Sequence, residues 1–245
     1  MRTRRFFVEQ SLQDGRETTL GSRVSKHISS VLRLRAGDEI TLFNGDGGEH
    51  SAVITRLIKK DVVVRVGARR TNKPNSQLVT HLGMVVIKGS LMDYSIQKAT
   101  ELGVNAITPL LSERCTVRLS SKRQANRLNH WQQISLSSCE QCDRNYPPAL
   151  HPIASLSTWM DGVEADLKII LSPQGDGDFA TTEVIPHSVV LLIGPEGGFT
   201  DPELSHASQA GFLPKRLGPR TLRADTVPAA ALTLVQYLWG DLTTG

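Results

Sequence analysis

Apolar residues are distributed in two different ways along this chain. Up to residue 66 they come in short runs set among polar residues: Arg5 to Val8, Glu39 to Phe43, His50 to Leu57 and Val62 to Val66 read as strands. Ser25-Lys26-His27-Ile28 opens a short helix, and Ala36-Gly37-Asp38 and Asn44-Gly45-Asp46-Gly47-Gly48 supply turns, the second with a strong hairpin signal. The pattern predicts a small barrel-like β module. From Val79 onward the apolar runs are continuous: Val79 to Ile87, Ala106 to Leu111, Leu167 to Leu171, Val189 to Ile193 and Phe212 to Leu217. Helical stretches fall between or after them, at Leu91 to Leu102 (closed by Gly103), Arg123 to Cys142 and Val227 to Trp239. Five buried strands in β-α-β order predict a mainly parallel sheet with helices on both faces. Gly67 to Gln77 is polar, broken by Gly and Pro and without periodicity, so we place the domain boundary there, with residues 1–70 before it and 71–245 after it.

Two loops in the second part are too specific to be ordinary connections. The run ending at Ile193 stops at Gly194-Pro195 and turns through Glu196-Gly197-Gly198. It re-emerges as a helix at Thr200-Asp201-Pro202-Glu203, where Thr200 and Glu203 form a capping box and Phe199 and Leu204 a hydrophobic staple. A strand, a glycine loop and a capped helix make a ligand crevice at the carboxyl end of a sheet. No Lys-Ser/Thr follows the glycines, and the spacing is not that of a dinucleotide fingerprint. A neutral adenosine read by backbone groups therefore fits better than a polyphosphate, with a purely structural glycine turn as the competing reading. The second loop is Gly218-Pro219-Arg220-Thr221-Leu222-Arg223-Ala224-Asp225-Thr226, two arginines and an acid between a buried strand and an almost wholly apolar helix.

Composition adds limits. With 39% hydrophobic and 21% charged residues the chain is an ordinary globular one, and no apolar run approaches bilayer length. The basic N-terminus lacks the apolar segment of a signal peptide, so a cytoplasmic location is expected. Net charge is +4 and unevenly spread: residues 1–70 carry 14 Lys and Arg against 8 Asp and Glu, residues 71–245 carry 14 against 16. Such asymmetry suggests that the first part meets a polyanion. Three cysteines argue against a disulfide framework. Cys139 and Cys142 have C-x-x-C spacing, but each follows Leu128 or Trp131 by three helical turns and is read as core-facing. No further pair of ligands completes a tetrahedral site, so no metal is expected.

The segments Ile193-Gly-Pro-Glu-Gly-Gly-Phe199 and Leu217-Gly-Pro-Arg-x-Leu-Arg-x-Asp-Thr226 resemble the signatures of the 16S ribosomal RNA uridine N3-methyltransferase family, RsmE. Lys88-Gly89, Gln97 to Val104 and Glu140-Gln141-x-x-Arg144 resemble further family motifs, as do Arg4-Arg5-Phe6-Phe7 and His27 to Arg35 in the first part. The resemblance runs through essentially the whole chain. It departs at Asp225, where many relatives carry Glu, and at Val227-Pro228, in place of a small-residue start to the last helix.

That resemblance implies a C-terminal α/β domain of SPOUT type, tied in a deep trefoil knot, and an N-terminal PUA-like β-barrel domain that binds RNA. Pattern alone gives an ordinary doubly wound sheet, since knots are essentially absent from proteins. The implied activity is methylation of N3 of a specific uridine in 16S ribosomal RNA of the small subunit, with S-adenosylmethionine (SAM) as cofactor and a homodimer as the working form. Cofactor-binding residues would be Leu171, Ser172, Pro173, Ile193, Gly194, Pro195, Gly197, Gly198, Leu217, Gly218, Leu222 and Thr226. RNA contacts would come from Arg4, Arg5, Phe6, His27, Arg33, Arg35, Lys88 and Lys98, with Arg2 beside them. Taken bottom-up, Phe6 and Phe7 read equally well as strand core, and Lys98 with Glu101 as a surface pair at i,i+3.

Removing the imide proton from uracil N3 spreads negative charge onto O2 and O4, so the site needs a cation and a proton acceptor. Arg223 and Arg220 are the candidate cations, because arginine stays charged and donates two coplanar hydrogen bonds. Arg220 could instead hold a phosphate or pair with Asp225. Glu196 and Asp225 are the candidate acceptors; bracing the loop and capping the last helix are their structural alternatives. A SPOUT enzyme acting on another RNA, and a binding factor for ribosome assembly without catalysis, are the rival functions.

Overall fold

The computed structural model describes residues 4–59, 61–71, 75–117, 120–176, 179 and 185–243. The chain divides into two compact units, one made of Met1–Asn75 together with Leu136–Pro147, the other of Ser76–Ser135 and Pro148–Gly245.

In the first unit, β1 (Arg4–Phe7), β2 (Glu17–Thr19), β3 (Glu39–Phe43), β4 (Gly48–Ile58) and β5 (Asp61–Thr71) form one sheet in the order β1-β3-β4-β5-β2. The β1–β3 pair is parallel, the others antiparallel. Between β2 and β3 lie α1 (Ser22–Lys26) and a π-helical turn, His27–Val31. Phe6, Ile28, Leu42, Ile54 and Val64 make the core. The three-residue β2 is too short to leave a pattern in the sequence. β5 continues five residues beyond Val66 into the stretch expected to be linker, because Gly48–His50 pair with Arg69–Thr71 and a backbone ladder needs no apolar side chains. The boundary therefore falls after Asn75 rather than after residue 70.

Residues 136–147 were expected to belong with the second part, yet they complete the first unit, and the reason is a set of specific polar contacts. Glu140 accepts hydrogen bonds from the Phe7 backbone N–H and from Arg23, both at 3.0 Å. Arg5, its side chain only 6% exposed, meets Glu49, Asp143 and Asn145 and lies over the Phe43 ring.

The second unit is built on a mostly parallel sheet: β6 (Val79–Val85), β7 (Ala106–Leu111), β8 (Ala149–Leu150), β9 (Ala154–Ser155), β10 (Leu167–Asp176), β11 (Ser188–Ile193) and β12 (Leu213–Lys215), in the order β12-β10-β11-β6-β7-β8 with β9 also on β7. Its helices are α2 (Ser90–Glu101), α3 (Ser121–Cys142) as far as Ser135, α4 (Leu156–Gly162), α5 (Asp201–Gln209) and α6 (Val227–Trp239). The five expected strands, β6, β7, β10, β11 and a β12 shortened to three residues, and α6 stand close to where the apolar runs put them, while the short elements β8, β9 and α4 escaped the pattern.

Two cores flank the sheet. Met84, Ile96, Trp131, Leu191, Leu232 and Val235 pack on one face, and Val85, Trp159, Ile170, Leu192 and Phe212 on the other. Gly83 is required by this packing, since a Cβ there would stand 2.2 Å from the Trp159 ring. On β6 the His81 ring packs against Trp159 with Nε2 2.8 Å from the Thr108 hydroxyl, and burial pulls its pKa down to about 4. Cys139 is fully buried with its thiol pushed up to about 12, an inert core residue; Cys142 is half-buried. Among the described residues no cluster of His, Cys, Asp and Glu could hold a metal ion, and no helix is long and apolar enough to cross a membrane.

Candidate functional site

β11 is buried along its length after Ser188, and its last residue, Ile193, delivers the chain to the glycine loop. Every turn of that loop is pinned. Gly194 lies against the Phe199 ring, where a Cβ would be 2.9 Å away. Gly198 has φ +67°, a conformation that favours glycine, and donates its N–H to the Pro195 carbonyl at 2.9 Å. Thr200 caps α5 in a full capping box, its N–H donating to Glu203 Oε2 at 2.8 Å and its hydroxyl accepting from the Glu203 N–H. Glu203 uses its other oxygen to accept from the Glu113 N–H at 2.8 Å. From the same segment after β7, Arg114 Nη1 donates to the carbonyls of Gly197 at 2.9 Å and Phe199 at 3.1 Å.

A second wall comes from β10. Leu171 and Asp176 both stand opposite Lys215 in the ladder to β12, so the four residues between them bow out of the sheet. Gly175 permits it: a Cβ there would be 2.7 Å from the Lys215 backbone. Ser172 steadies the bow, donating to Gln174 Oε1 and accepting from the Gln174 N–H.

The third wall is the arginine loop that follows β12. It turns at Gly218, φ +74°, and enters α6 through hydrogen bonds from the N–H groups of Thr226 and Val227 to the Arg223 carbonyl. Arg223 Nε lies 3.3 Å from Asp225 Oδ1; the Arg223 side chain is 74% exposed and the Asp225 side chain 16%. The pairing therefore involves Arg223, not Arg220. Helix capping is not the role of Asp225, because the N-cap is Thr226, which itself makes no side-chain cap.

These walls enclose a cavity of about 720 Å³. It brings together all four residues expected to carry the chemistry, Glu196, Arg220, Arg223 and Asp225, and the expected cofactor residues Leu171, Ser172, Pro173, Ile193, Gly194, Pro195, Gly197, Gly198, Leu217, Gly218 and Leu222. Thr226 is outside the lining. Leu91, Arg114 and Lys215 line the cavity without having been expected from the sequence. Arg114 is 83 residues from its Gly197 partner, so no local pattern could disclose it. Glycine-loop backbone and leucine and isoleucine side chains, flanked by charged residues of both signs, line a volume that suits a nucleoside-sized ligand. A charged polyphosphate would find no loop of the Lys-Ser/Thr type here.

The residues expected to touch RNA fare unequally. Phe6 is completely buried and offers no face for stacking, and Arg5 is consumed by its ion pairs. Alternation along β1 sends the two to opposite sides of the strand, Phe6 into the core and Arg5 onto Glu49, Asp143 and Asn145. His27 is half-buried with its ring edge-on to Phe6 at 5.7 Å. Arg4, Arg33 and Arg35 are exposed, as is Lys88 just after β6; Arg2 lies outside the described residues. Lys98 forms the i,i+3 pair with Glu101 at 2.8 Å and sits over the Tyr94 ring.

Comparison with known proteins agrees with this division. Residues 74–236 match the model of an RNA methyltransferase domain, and residues 20–67 that of an RNA methyltransferase PUA domain. Ribosomal RNA small subunit methyltransferase E of Buchnera aphidicola (subsp. Schizaphis graminum) is 34% identical over 240 residues, 98% of each chain. A protein from Legionella pneumophila, solved in complex with the bound cofactor SAM, is 39% identical with a TM-score of 0.96 over 99% of this chain and 100% of that one. Ribosomal RNA small subunit methyltransferase E from Neisseria gonorrhoeae, solved bound to SAM, is 36% identical with a TM-score of 0.92, covering 98% and 100%.

Proposed function

This chain belongs to the ribosomal RNA small subunit methyltransferase E family, and we propose that it transfers the methyl group of S-adenosylmethionine to N3 of one uridine in 16S ribosomal RNA. The observation that carries this is the convergence of both loops on one cavity, with Arg220, Arg223, Glu196 and Asp225 among its lining. The cofactor would rest against the backbone of 171–174, 193–198 and 217–222, and would supply a methyl carbon already activated by its sulfonium.

The remaining work falls to the chain's own side chains. Arg223 stabilises negative charge on the uracil oxygens as the N3 proton departs. Asp225, 3.3 Å from its Nε, aims that guanidinium. Glu196 is exposed, lines the cavity and has no carboxylate-binding partner among the described residues, which leaves it available to accept the proton. Arg220, also lining and exposed, is left to hold a substrate phosphate.

Three further features belong to this reading: a cytoplasmic location, where the ribosomal substrate is, the trefoil knot of the SPOUT class, and a homodimer. For the dimer the support is α6. Ala231, Leu232, Val235 and Gln236 are buried within the protomer, yet Tyr237 is 60% exposed and Leu234, Leu238 and Trp239 are only half covered. A helix apolar nearly all round is expected to bury a second side. Sedimentation should give twice the chain mass; a monomer at working concentration would remove the dimer from the proposal. The decisive assay is incubation with labelled SAM and unmodified small ribosomal subunits, followed by nucleoside mass spectrometry. One new 3-methyluridine in 16S RNA is expected. SAM binding without that product would point to another RNA.

A further inference from the structure

From Arg114 to Cys139 the chain contains no Asp or Glu, yet it carries Arg114, Arg118, Lys122, Arg123 and Arg127. Acids outnumber bases by 16 to 14 in residues 71–245 as a whole, and the comparable acid-free stretch there, residues 204–224, has its cations Lys215, Arg216, Arg220 and Arg223 in the cavity lining. Lys122, Arg123 and Arg127 are exposed in the first two turns of α3, and no carboxylate among the described residues pairs with them. Arg123 and Arg127, at i,i+4, share a helix face, with Lys122 on its shoulder.

Helix energetics do not explain these cations. The N-terminal N–H groups of a helix bear positive partial charge, so acids stabilise the first turn and cations oppose it. Of the other helices in this unit, α5 opens with Asp201 and Glu203, α2 has Asp93 in its first turn, and α4 and α6 open with uncharged residues. α3 has no acid there. A second observation says where the charge is directed. Arg114, at the other end of the same acid-free stretch, lines the cavity and braces the glycine loop. Ser121 is seven residue steps along the chain from Arg114, so α3 begins within about 25 Å of the cavity wall.

We propose that Lys122, Arg123 and Arg127 form a phosphate-binding surface on the methyltransferase domain itself, which holds the RNA backbone flanking the target uridine. This rests on the RNA-modifying reading above and adds a contact outside the PUA domain. Such contacts position the substrate without reading its sequence, and their signature is sensitivity to salt.

The test compares the full chain with the variant Lys122→Glu/Arg123→Glu/Arg127→Glu, both saturated with S-adenosylhomocysteine. Affinity for protein-free 16S RNA and for unmodified small subunits is measured across a salt series, with SAM affinity and thermal midpoint alongside. The variant should bind RNA at least 30-fold more weakly, and the slope of log affinity against log salt should shrink by about two to three. Its SAM affinity should stay within twofold and its midpoint should hold or rise, because acids now occupy the first turns of α3. Arg123→Lys/Arg127→Lys should keep most of the RNA affinity. Unchanged affinity and slope would overturn the proposal, and so would a loss that comes with a lower midpoint and weaker SAM binding. Loss confined to assembled subunits would assign the surface to a protein partner and overturn it too. If the wild type binds RNA through this surface but forms no 3-methyluridine, the substrate reading fails and this inference stands.

Discussion

The two loops that close the cavity start alike and end up physically opposite. Gly194-Pro195-Glu196 and Gly218-Pro219-Arg220 share a Gly-Pro opening. The first loop is held from several sides, by Arg114, by the capping box at Thr200 and by the Phe199 ring on Gly194. The second turns at a Gly218 that has no neighbour within 4 Å of where its Cβ would be, and it carries Arg220 and Arg223 exposed. The difference matches two tasks. Reading a nucleoside by backbone groups needs fixed carbonyls and N–H groups, whereas stabilising charge on an incoming base needs a cation that can reach it.

Breaking the second loop should cost most. Arg223→Ala is expected to lower turnover by about 100-fold or more, in line with loss of one preorganised donor, while SAM affinity measured by calorimetry changes little. Equal loss of both would make Arg223 a cofactor ligand and merge the two tasks. In the first loop, Gly194→Ala pushes a methyl into the Phe199 ring and should weaken SAM binding about tenfold, the overpacking cost being roughly 1–3 kcal/mol. Gly218→Ala meets no atoms, so only its positive φ opposes it, and a cost of about 1 kcal/mol in thermal stability is expected. If Gly218→Ala proved the worse of the two for SAM, the contrast between a braced and an open loop would be wrong.

Arg114→Ala removes two hydrogen bonds from the braced loop without touching the open one. We expect SAM affinity to fall about fivefold, consistent with charge-assisted hydrogen bonds at a partly exposed site, with kcat changed less than KM for SAM. The smallest effect belongs to Asp225→Asn. It keeps an oxygen near Arg223 but loses the charge, so turnover should drop about threefold with no change in SAM binding, as for an exposed ion pair.

Much of this architecture could be read from local pattern. The apolar run Val189 to Ile193 is β11 but for its first residue, Val227 to Trp239 is α6, and the Thr200–Glu203 cap has both of its hydrogen bonds. Each is specified by residues within one or two turns of one another. Short elements were not legible: β2, β8 and β9 have two or three residues, too few to repeat a strand's two-residue period twice. The linker was misjudged for a related reason, since the pairing of β5 beyond Gly67 is decided by β4.

Sequence by itself determined the parallel sheet, the glycine loop with its capped helix, and the two arginines and one acid before α6, because strand runs, turns and caps are short-range features. Only tertiary structure decided which charges are free to act. It buried Arg5 among Glu49, Asp143 and Asn145, paired Arg223 rather than Arg220 with Asp225, and brought Arg114 across 83 residues to the glycine loop. A side chain's neighbours in space set its exposure and its partners, and those neighbours come from strands whose order in the sheet differs from their order in the chain.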